Sequence, residues 1–170
     1  EVACFPVGEN LHEDGILAAT LVPARVSEVA QQRALGMAER IAKGLNLVGV
    51  LGVEMFALSD GSLLVNELAP RPHNSGHFTQ DACNVSQFEQ HLRAICDWPL
   101  VPPELREPGV MLNLLGEHMP ALEAPHRELP TSARMHWYDK REARTGRKMA
   151  HLNVTASSLE AALEQLQSWN

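Results

Sequence analysis

The chain has 170 residues, with 21 acidic and 14 basic side chains and a formal net charge of −7 when its eight histidines are neutral. A chain of that length buries roughly 70% of its unfolded surface, and 45% hydrophobic with 21% charged residues is an ordinary globular composition, which excludes a disordered or collagen-like chain. Overall acidity argues against a general nucleic-acid binder, and no apolar run approaches about eighteen residues, so neither a membrane span nor a secretory leader is expected.

Cys4, Cys83 and Cys96 are odd in number and widely spaced, without a C-x-x-C pair. That usage suits reduced thiols in a cytoplasmic protein better than a disulfide framework or a zinc site. The chain opens at Glu1 directly into V-A-C-F, which reads as a start inside an element of something longer.

Residues 1–26 read as an extended stretch E-V-A-C-F-P, a polar loop through Gly15, and a second extended stretch from Ile16. The Asp14-Gly15 turn signal predicts a hairpin-like pair. Ser27 is placed to cap a helix whose apolar positions Ala30, Ala34, Met37, Ala38, Ile41 and Leu45 repeat at three and four, with Gly44 near its end. Two β-rich runs between Leu47 and Leu68 flank Ser59-Asp60-Gly61, a hairpin signal. The loop A-P-R-P-H-N-S-G-H follows, and its prolines and glycine make regular structure improbable. Ser86 opens S-Q-F-E, a capping-box pattern before a helix with Phe88, Leu92 and Ile95 on one face.

Pro99, Pro102, Pro103 and Pro108 mark a stiff connection and a division into residues 1–100 and 101–170. Beyond it, G-V-M-L-N-L-L-G, R-M-H-W-Y and K-M-A-H-L-N-V read as strands. Ser157-x-x-Glu160 then caps a final helix carrying Leu159, Leu163 and Leu166.

If Asp60-Gly61 is a two-residue turn, Leu58 faces Leu63, Phe56 faces Val65 and Glu54 faces Glu67. Opposed residues have Cβ atoms about 4.5–5.5 Å apart, where like charges repel. Either one glutamate is protonated or a cation lies between them, and magnesium is the natural ion because it accepts one or two carboxylates and completes its shell with water and phosphate oxygens. A solvent-exposed sheet face, where both carboxylates are screened, accounts for the pattern equally well. Asn66 points to the opposite face of a regular strand yet stays near the site.

Donors crowd the loop after Glu67: Arg71, His73, Asn74, Ser75, His77 and Thr79. Such a loop suits oxyanions; the alternative is side chains capping neighbouring backbone. Six of the fourteen basic residues, Arg134, Lys140, Arg141, Arg144, Arg147 and Lys148, fall in one window with two acids, Asp139 and Glu142. Its T-G-R-K stretch could clamp a phosphate, although composition alone favours a solvated turn. Nucleic-acid binding ranks below both, for want of interleaved aromatics beyond Trp137 and Tyr138.

The run N-E-L-A-P-R-P-H-N-S-G-H-F-T, with F-P-V-G-E-N-L-H-E-D-G-I-L upstream and W-Y-D-K-R-E-A-R-T-G-R-K-M-A-H downstream, resembles the N5-carboxyaminoimidazole ribonucleotide synthetase family of ATP-grasp enzymes. The resemblance covers nearly the whole chain and about the C-terminal half of the family's length. It implies an α+β fold: the C-terminal lobe of an ATP-grasp fold, an antiparallel sheet with helices on one face, followed by a small β-rich domain. The implied reaction joins bicarbonate to 5-aminoimidazole ribonucleotide at the expense of ATP, through carboxyphosphate, in purine biosynthesis. By the same resemblance Glu54 and Glu67 hold magnesium, and His12, Asn66 and Glu67 line the nucleotide. Arg71, His73, Asn74 and Ser75 meet bicarbonate, carboxyphosphate and the ribonucleotide, while Lys140, Arg147 and Lys148 approach its phosphate. A cytoplasmic homodimer is implied.

Ala150 stands where the family commonly has glycine, and the N-terminal portion with the adenine-binding elements is absent from these residues, so the piece alone is expected to be inactive. Two rivals are a formate-dependent glycinamide ribonucleotide transformylase, whose similar loop reads R-P-H-D-T-G-M, and a non-catalytic module derived from the same fold.

Overall fold

The computed structural model describes residues 1–123 and 129–167. Its first hairpin turns where Asp14-Gly15 predicts: both residues have positive φ, 49° and 77°, and Glu13 pairs with Ile16 across a two-residue loop, the primed geometry that matches strand twist. The strands are β1 (Glu9–Glu13) and β2 (Ile16–Val22). The first strand thus lies in what reads as polar loop, whereas residues 1–6, expected to be extended, form no helix or strand. Pairing with an apolar partner, rather than its own hydrophobicity, makes E-N-L-H-E a strand. Helix α1 (Glu28–Gly44) follows, its Ala30 N–H donating to the Ser27 hydroxyl at 3.2 Å as expected of the cap.

The second hairpin, β3 (Gly52–Ala57) with β4 (Leu63–Ala69), departs from the two-residue turn. The Gly61 N–H donates to Leu58 O and the Leu58 N–H to Ser62 O, both at 2.9 Å, which closes a three-residue loop with Gly61 at φ 78°. This is the glycine-bulged loop that follows a tight turn, and only Gly61 takes the left-handed conformation without strain. The Asp60 carboxylate favours it by accepting the Ser62 N–H at 2.9 Å. Phe56 therefore faces Leu64 rather than Val65, and Ala57 faces Leu63. A β-bulge then inserts Asn66 as an extra residue and restores the offset, so that Glu54 does face Glu67.

The proline-bounded loop also departs from expectation. Residues Asn74–Gly76 within it form a 3-10 turn, and just beyond its end α2 (Thr79–Ala82) makes a single helical turn. In α3 (Gln87–Ile95) the Ser86 hydroxyl accepts the Glu89 N–H at 3.1 Å, as the capping pattern predicts, and the helix turns its shared apolar face outward. Gln87 and Gln90 are buried, while Phe88, Leu92 and Ile95 are exposed. The glutamine amides satisfy backbone groups that would otherwise be stranded inside: Gln90 Nε2 donates to Val101 O at 2.7 Å and Gln90 Oε1 accepts the Val101 N–H at 3.1 Å.

Residues 96–108 hold no helix or strand, apart from an isolated bridge between Cys83 and Leu105. Three strands follow as expected: β5 (Gly109–Leu115), β6 (Ala133–Trp137) and β7 (Lys148–Thr155). A 3-10 turn at Gly116–His118 and the short helix α4 (Met119–Leu122) come without warning from the sequence. In α5 (Leu159–Gln167) the cap is Ser158, whose hydroxyl accepts the Ala161 N–H at 3.2 Å, and not Ser157.

The large sheet is antiparallel in the order β1-β2-β5-β7-β6, so strands from both sides of the proline-rich connection share it. Alternation along β5 sends Val110 and Leu114 to a core completed by Leu152, Val154 and α5, and Met111 to a second core with Phe78, Ala82 and Cys83. Each fully buried leucine or methionine there contributes ~1.5–3 kcal/mol. All three cysteines are free thiols. Burial pushes Cys83 up to about 11, which leaves it protonated and unreactive.

A stack of imidazoles, buried at its centre and half-buried at both ends, joins the two parts of the chain. The His151 ring lies 4.5 Å from His77 on one side and 4.5 Å from His136 on the other. Asp81 faces His136, Tyr138 faces His151, and Lys148 and His73 lie close enough to His77 to disfavour its charge. Burial, reinforced by the neighbouring imidazoles, pushes His77 down to about 4 and His151 to about 3. Both values lie below the ~6.5 of an unfolded histidine, so the fold refuses protons that the unfolded chain accepts. This contribution to stability is complete above about pH 6.5 and is lost as pH falls toward 4, by up to ~1.4 kcal/mol per pH unit for each histidine. Calorimetry across that range should show a falling melting temperature, with His151→Phe flattening the fall by about one proton; equal slopes in both proteins would contradict the assignment.

Candidate functional site

The opposed carboxylates are held differently. The Glu54 side chain is 14% exposed and Glu67 50%. Asn10 Nδ2 donates to Glu54 Oε1 at 3.0 Å, and the fully buried Thr20 donates through Oγ1 to Asn10 Oδ1 at 2.9 Å. Asn10 and Thr20 face one another across β1 and β2, so the large sheet orients a carboxylate of the small one. Neither residue stands out in the sequence, because the pairing that gives them a role is tertiary.

His73 lies between the two glutamates, Nδ1 3.8 Å from Glu54 Oε1 and Nε2 3.8 Å from Glu67 Oε1. These separations do not amount to ion pairs at neutral pH. Burial lowers the imidazole's affinity for a proton, and the pull of both glutamates does not overcome it. The ring therefore leaves the carboxylates' charge unneutralised. A Cβ on Gly52 would lie 2.9 Å from His73 Cβ, so glycine there admits the ring over the hairpin.

Gln87 clamps the loop that carries His73. Its Oε1 accepts the His73 N–H and its Nε2 donates to His73 O, both at 2.8 Å, while Nε2 also reaches His77 Nδ1 at 3.0 Å. An amide nitrogen only donates, so His77 Nδ1 accepts and its proton sits on Nε2. The Gln87 N–H in turn donates to Thr79 Oγ1 at 2.9 Å, and Thr79 Oγ1 donates to Gly76 O at 2.6 Å. His77 and Thr79 thus serve the loop's own structure, as the capping alternative holds. Ser75 Oγ meets His73 Nδ1 at 2.8 Å. The S-Q-F-E pattern announces a helix start without disclosing that its glutamine grips a loop fourteen residues earlier.

A cavity of about 410 Å³ opens beside the hairpin, walled by Glu54, Glu67, His73 and Asn74 on one side and by Lys140, Gly146 and Lys148 on another, with His12 at its rim. A larger cavity of about 840 Å³ lies across β3, between that strand and α1. His12, Glu54 and His73 border both; Asn66 and Ser75 border only the larger. The bulge therefore turns Asn66 toward a cavity that Glu54 also lines, instead of leaving it on an opposite face. Asn74 Nδ2 is buried without a hydrogen-bond partner, an available donor of the kind an anion would use. Arg71 and Arg147 line neither cavity: Arg71 Nη1 donates to Pro72 O and Arg147 Nη1 to Glu142 O, each at 3.1 Å. Lys140 Nζ donates to Lys148 O at 2.6 Å, which folds the basic segment back on itself. Lys148 is half-buried, and burial lowers its pKa despite the nearby glutamates.

Among the described residues no three His, Cys, Asp or Glu side chains converge as a complete metal cage. An ion held by Glu54 and Glu67 must then take the rest of its oxygen shell from water and a phosphate-bearing ligand. That is how magnesium binds, so the donor set fits magnesium and not zinc.

The ATP-grasp domain family matches residues 1–88, and the phosphoribosylaminoimidazole carboxylase C-terminal domain matches residues 109–165. The chain is 52% identical to the N5-carboxyaminoimidazole ribonucleotide synthase of Bacillus subtilis over 89% of its own length, and 46% identical to that of Escherichia coli over 95%. Among solved structures it is similar to an ADP complex of an N5-carboxyaminoimidazole ribonucleotide synthetase, with 51% identity, a TM-score of 0.92 and 97% of this chain covered. It is also similar to the Aspergillus clavatus enzyme in complex with ADP and 5-aminoimidazole ribonucleotide, with 40% identity, a TM-score of 0.93 and 99% covered. The chain spans 40 to 45% of the two curated relatives and 44 to 47% of the two solved chains. With residues 1–88 matched and a fold this close to solved members, the chain belongs to the ATP-grasp family.

Proposed function

We propose that the chain is the C-terminal portion of an N5-carboxyaminoimidazole ribonucleotide synthetase, which carboxylates 5-aminoimidazole ribonucleotide with bicarbonate and ATP in purine biosynthesis. The observation that carries this reading is the cavity with two facing carboxylates on one wall and two lysines on the other. Anionic donors for a metal and cationic groups for a phosphate are a few side chains apart, as a reaction between two phosphorylated substrates requires.

In the proposed chemistry a bicarbonate oxygen attacks the γ-phosphorus, ADP departs, and carboxyphosphate results. The substrate amine then attacks the carboxyl carbon, inorganic phosphate leaves, and the amine's proton passes to solvent or phosphate. Magnesium would supply charge neutralisation at the phosphate oxygens. Glu54 and Glu67 would hold it, with Asn10 fixing the Glu54 carboxylate. His73, kept neutral by its burial, and Asn74, with its free amide donor, are suited to orient the bicarbonate-derived group. Lys140 and Lys148 are suited to the ribonucleotide phosphate, while Arg71 and Arg147 would reach substrate by swinging from their present carbonyl partners. His12 and Asn66 border the large cavity, where the nucleotide is proposed to lie.

The remaining N-terminal part of a longer protein would supply the adenine-binding elements. The division near residue 100 is one of role, the first part holding metal and nucleotide and the second reaching the ribonucleotide phosphate. The reading places the protein in the cytoplasm as a homodimer; no helix among the described residues is long and apolar enough to cross a membrane.

In the full-length protein, phosphate release should require 5-aminoimidazole ribonucleotide and bicarbonate together. Release that depends instead on formate and glycinamide ribonucleotide would replace this reading with the rival one. Glu54→Gln and Glu67→Gln should each reduce turnover at least about a hundredfold with the fold retained; unchanged turnover would remove the metal assignment. Asn10→Ala should raise the magnesium concentration for half-maximal turnover by about tenfold, as loss of a group that orients a metal ligand commonly does, and an unshifted magnesium titration would show that Asn10 does not orient Glu54.

A further inference from the structure

We infer that the imidazole stack His77–His151–His136 is a positioning device that holds the loop 71–79 and the basic segment 138–148 in one fixed relation, with His151 as its node. The inference rests on the proposed reading only in naming the ligand that these two segments would share.

His151 is 2% exposed and sits on β7, opposite His136 of β6 in the strand register. One face of its ring packs on His77 of the loop at 4.5 Å and the other on His136 at 4.5 Å, both nearly parallel, at 17° and 12°. Parallel rings at that separation are the offset-stacked arrangement that aromatic pairs prefer. The two outer rings are also held. His77 stacks on Phe88 at 5.6 Å, and His136 Nε2 donates to Asp81 Oδ2 at 2.8 Å. Asn153 Nδ2 joins that carboxylate at 2.6 Å and reaches His77 O at 3.1 Å, which closes the ring of contacts.

From the node, contacts run outward to both walls of the small cavity. Toward the carboxylates, His77 Nδ1 accepts from Gln87 Nε2, and the same amide grips the His73 backbone on both its N–H and its carbonyl. Toward the lysines, His151 Nδ1 meets Tyr138 Oη at 2.8 Å, and Lys140 Nζ lies 5.3 Å from the centre of the Tyr138 ring, within cation–π range. His151 Nε2 is buried without a hydrogen-bond partner. An unpartnered acceptor is tolerated in the interior more readily than an unpartnered N–H, so the ring proton is assigned to Nδ1, which donates to Tyr138 Oη. The stack touches no carboxylate assigned to the metal and no reacting atom, and its members are positioning residues.

The test uses the full-length protein with His151→Ala, which removes the node, and His151→Phe, which returns a ring between His77 and His136 without the bond to Tyr138. His151→Ala should raise KM for 5-aminoimidazole ribonucleotide about tenfold or more while KM for ATP moves less than about twofold, because misplacing a positioning group selectively weakens the ligand it serves. His151→Phe should fall between Ala and wild type. Wild-type ribonucleotide KM in both variants, or equal rises in both KM values, would overturn the inference.

Backbone amide exchange gives a readout independent of the reaction. In His151→Ala, residues 71–79 and 139–148 should exchange about tenfold faster together, with β2 and β5 unchanged. If that variant fails to fold, His151→Phe carries the same measurement, with acceleration expected at 139–148. Acceleration nowhere, or uniformly along the chain, would overturn the inference. A wild-type protein inactive on 5-aminoimidazole ribonucleotide would sink the proposed function and leave the exchange result to decide the stack's role.

Discussion

Two carboxylates facing each other across a hairpin are a repulsive arrangement that an isolated chain has reason to avoid. The structure keeps Glu54 and Glu67 opposed and sets beside them an imidazole that burial holds neutral. Had His73 been protonated it would have formed two ion pairs and spent the negative charge internally. Left unneutralised, that charge is available to an external cation, and the chemistry proposed for the site follows from it.

Much of the surrounding structure serves to hold that arrangement. Thr20 and Asn10 brace Glu54 from the large sheet, Gln87 grips the loop that carries His73, and Gly52 leaves room for its ring. The contacts of Thr20, Asn10 and Gln87 are buried or half-buried hydrogen bonds, each contributing about 1 kcal/mol in stability. Their larger effect is geometric, since each removes a rotational freedom from a group that must meet a ligand already oriented. The large sheet adds a further constraint: β2 and β5 pair across the proline-rich connection, so the lysine-bearing segment cannot drift from the carboxylates as an independent domain would.

Several elements were legible because their determinants are local. Ser27 and Ser86 cap helices where the sequence places them, and the three late strands fall within a residue or two of their expected bounds. The two Asp-Gly pairs show where local reading stops. Asp14-Gly15 makes the two-residue primed turn, whereas Ser59-Asp60-Gly61 makes a three-residue loop. The expected pairing of Glu54 with Glu67 survives only because the bulge at Asn66 offsets the longer turn. Periodicity groups Phe88, Leu92 and Ile95 on one face of α3 but does not disclose that this face is exposed, since the glutamines of the helix satisfy buried backbone groups that no sequence pattern advertises.

Residue type and order along the chain determined which groups could do chemistry: paired glutamates, a donor-rich loop and a basic segment, together with the motifs that tie them to a family. These are legible because acid, base and hydrogen-bonding capacity belong to single side chains and turn signals to short neighbourhoods. Only the tertiary structure decided which of those groups share a cavity, which are spent on holding the loop, and which quiet residues orient them. Asn10, Thr20, Gln87 and His151 acquire their roles from partners 10 to 74 residues away or from a neighbouring strand. Such roles depend on distances and burial that exist only once the sheets have paired.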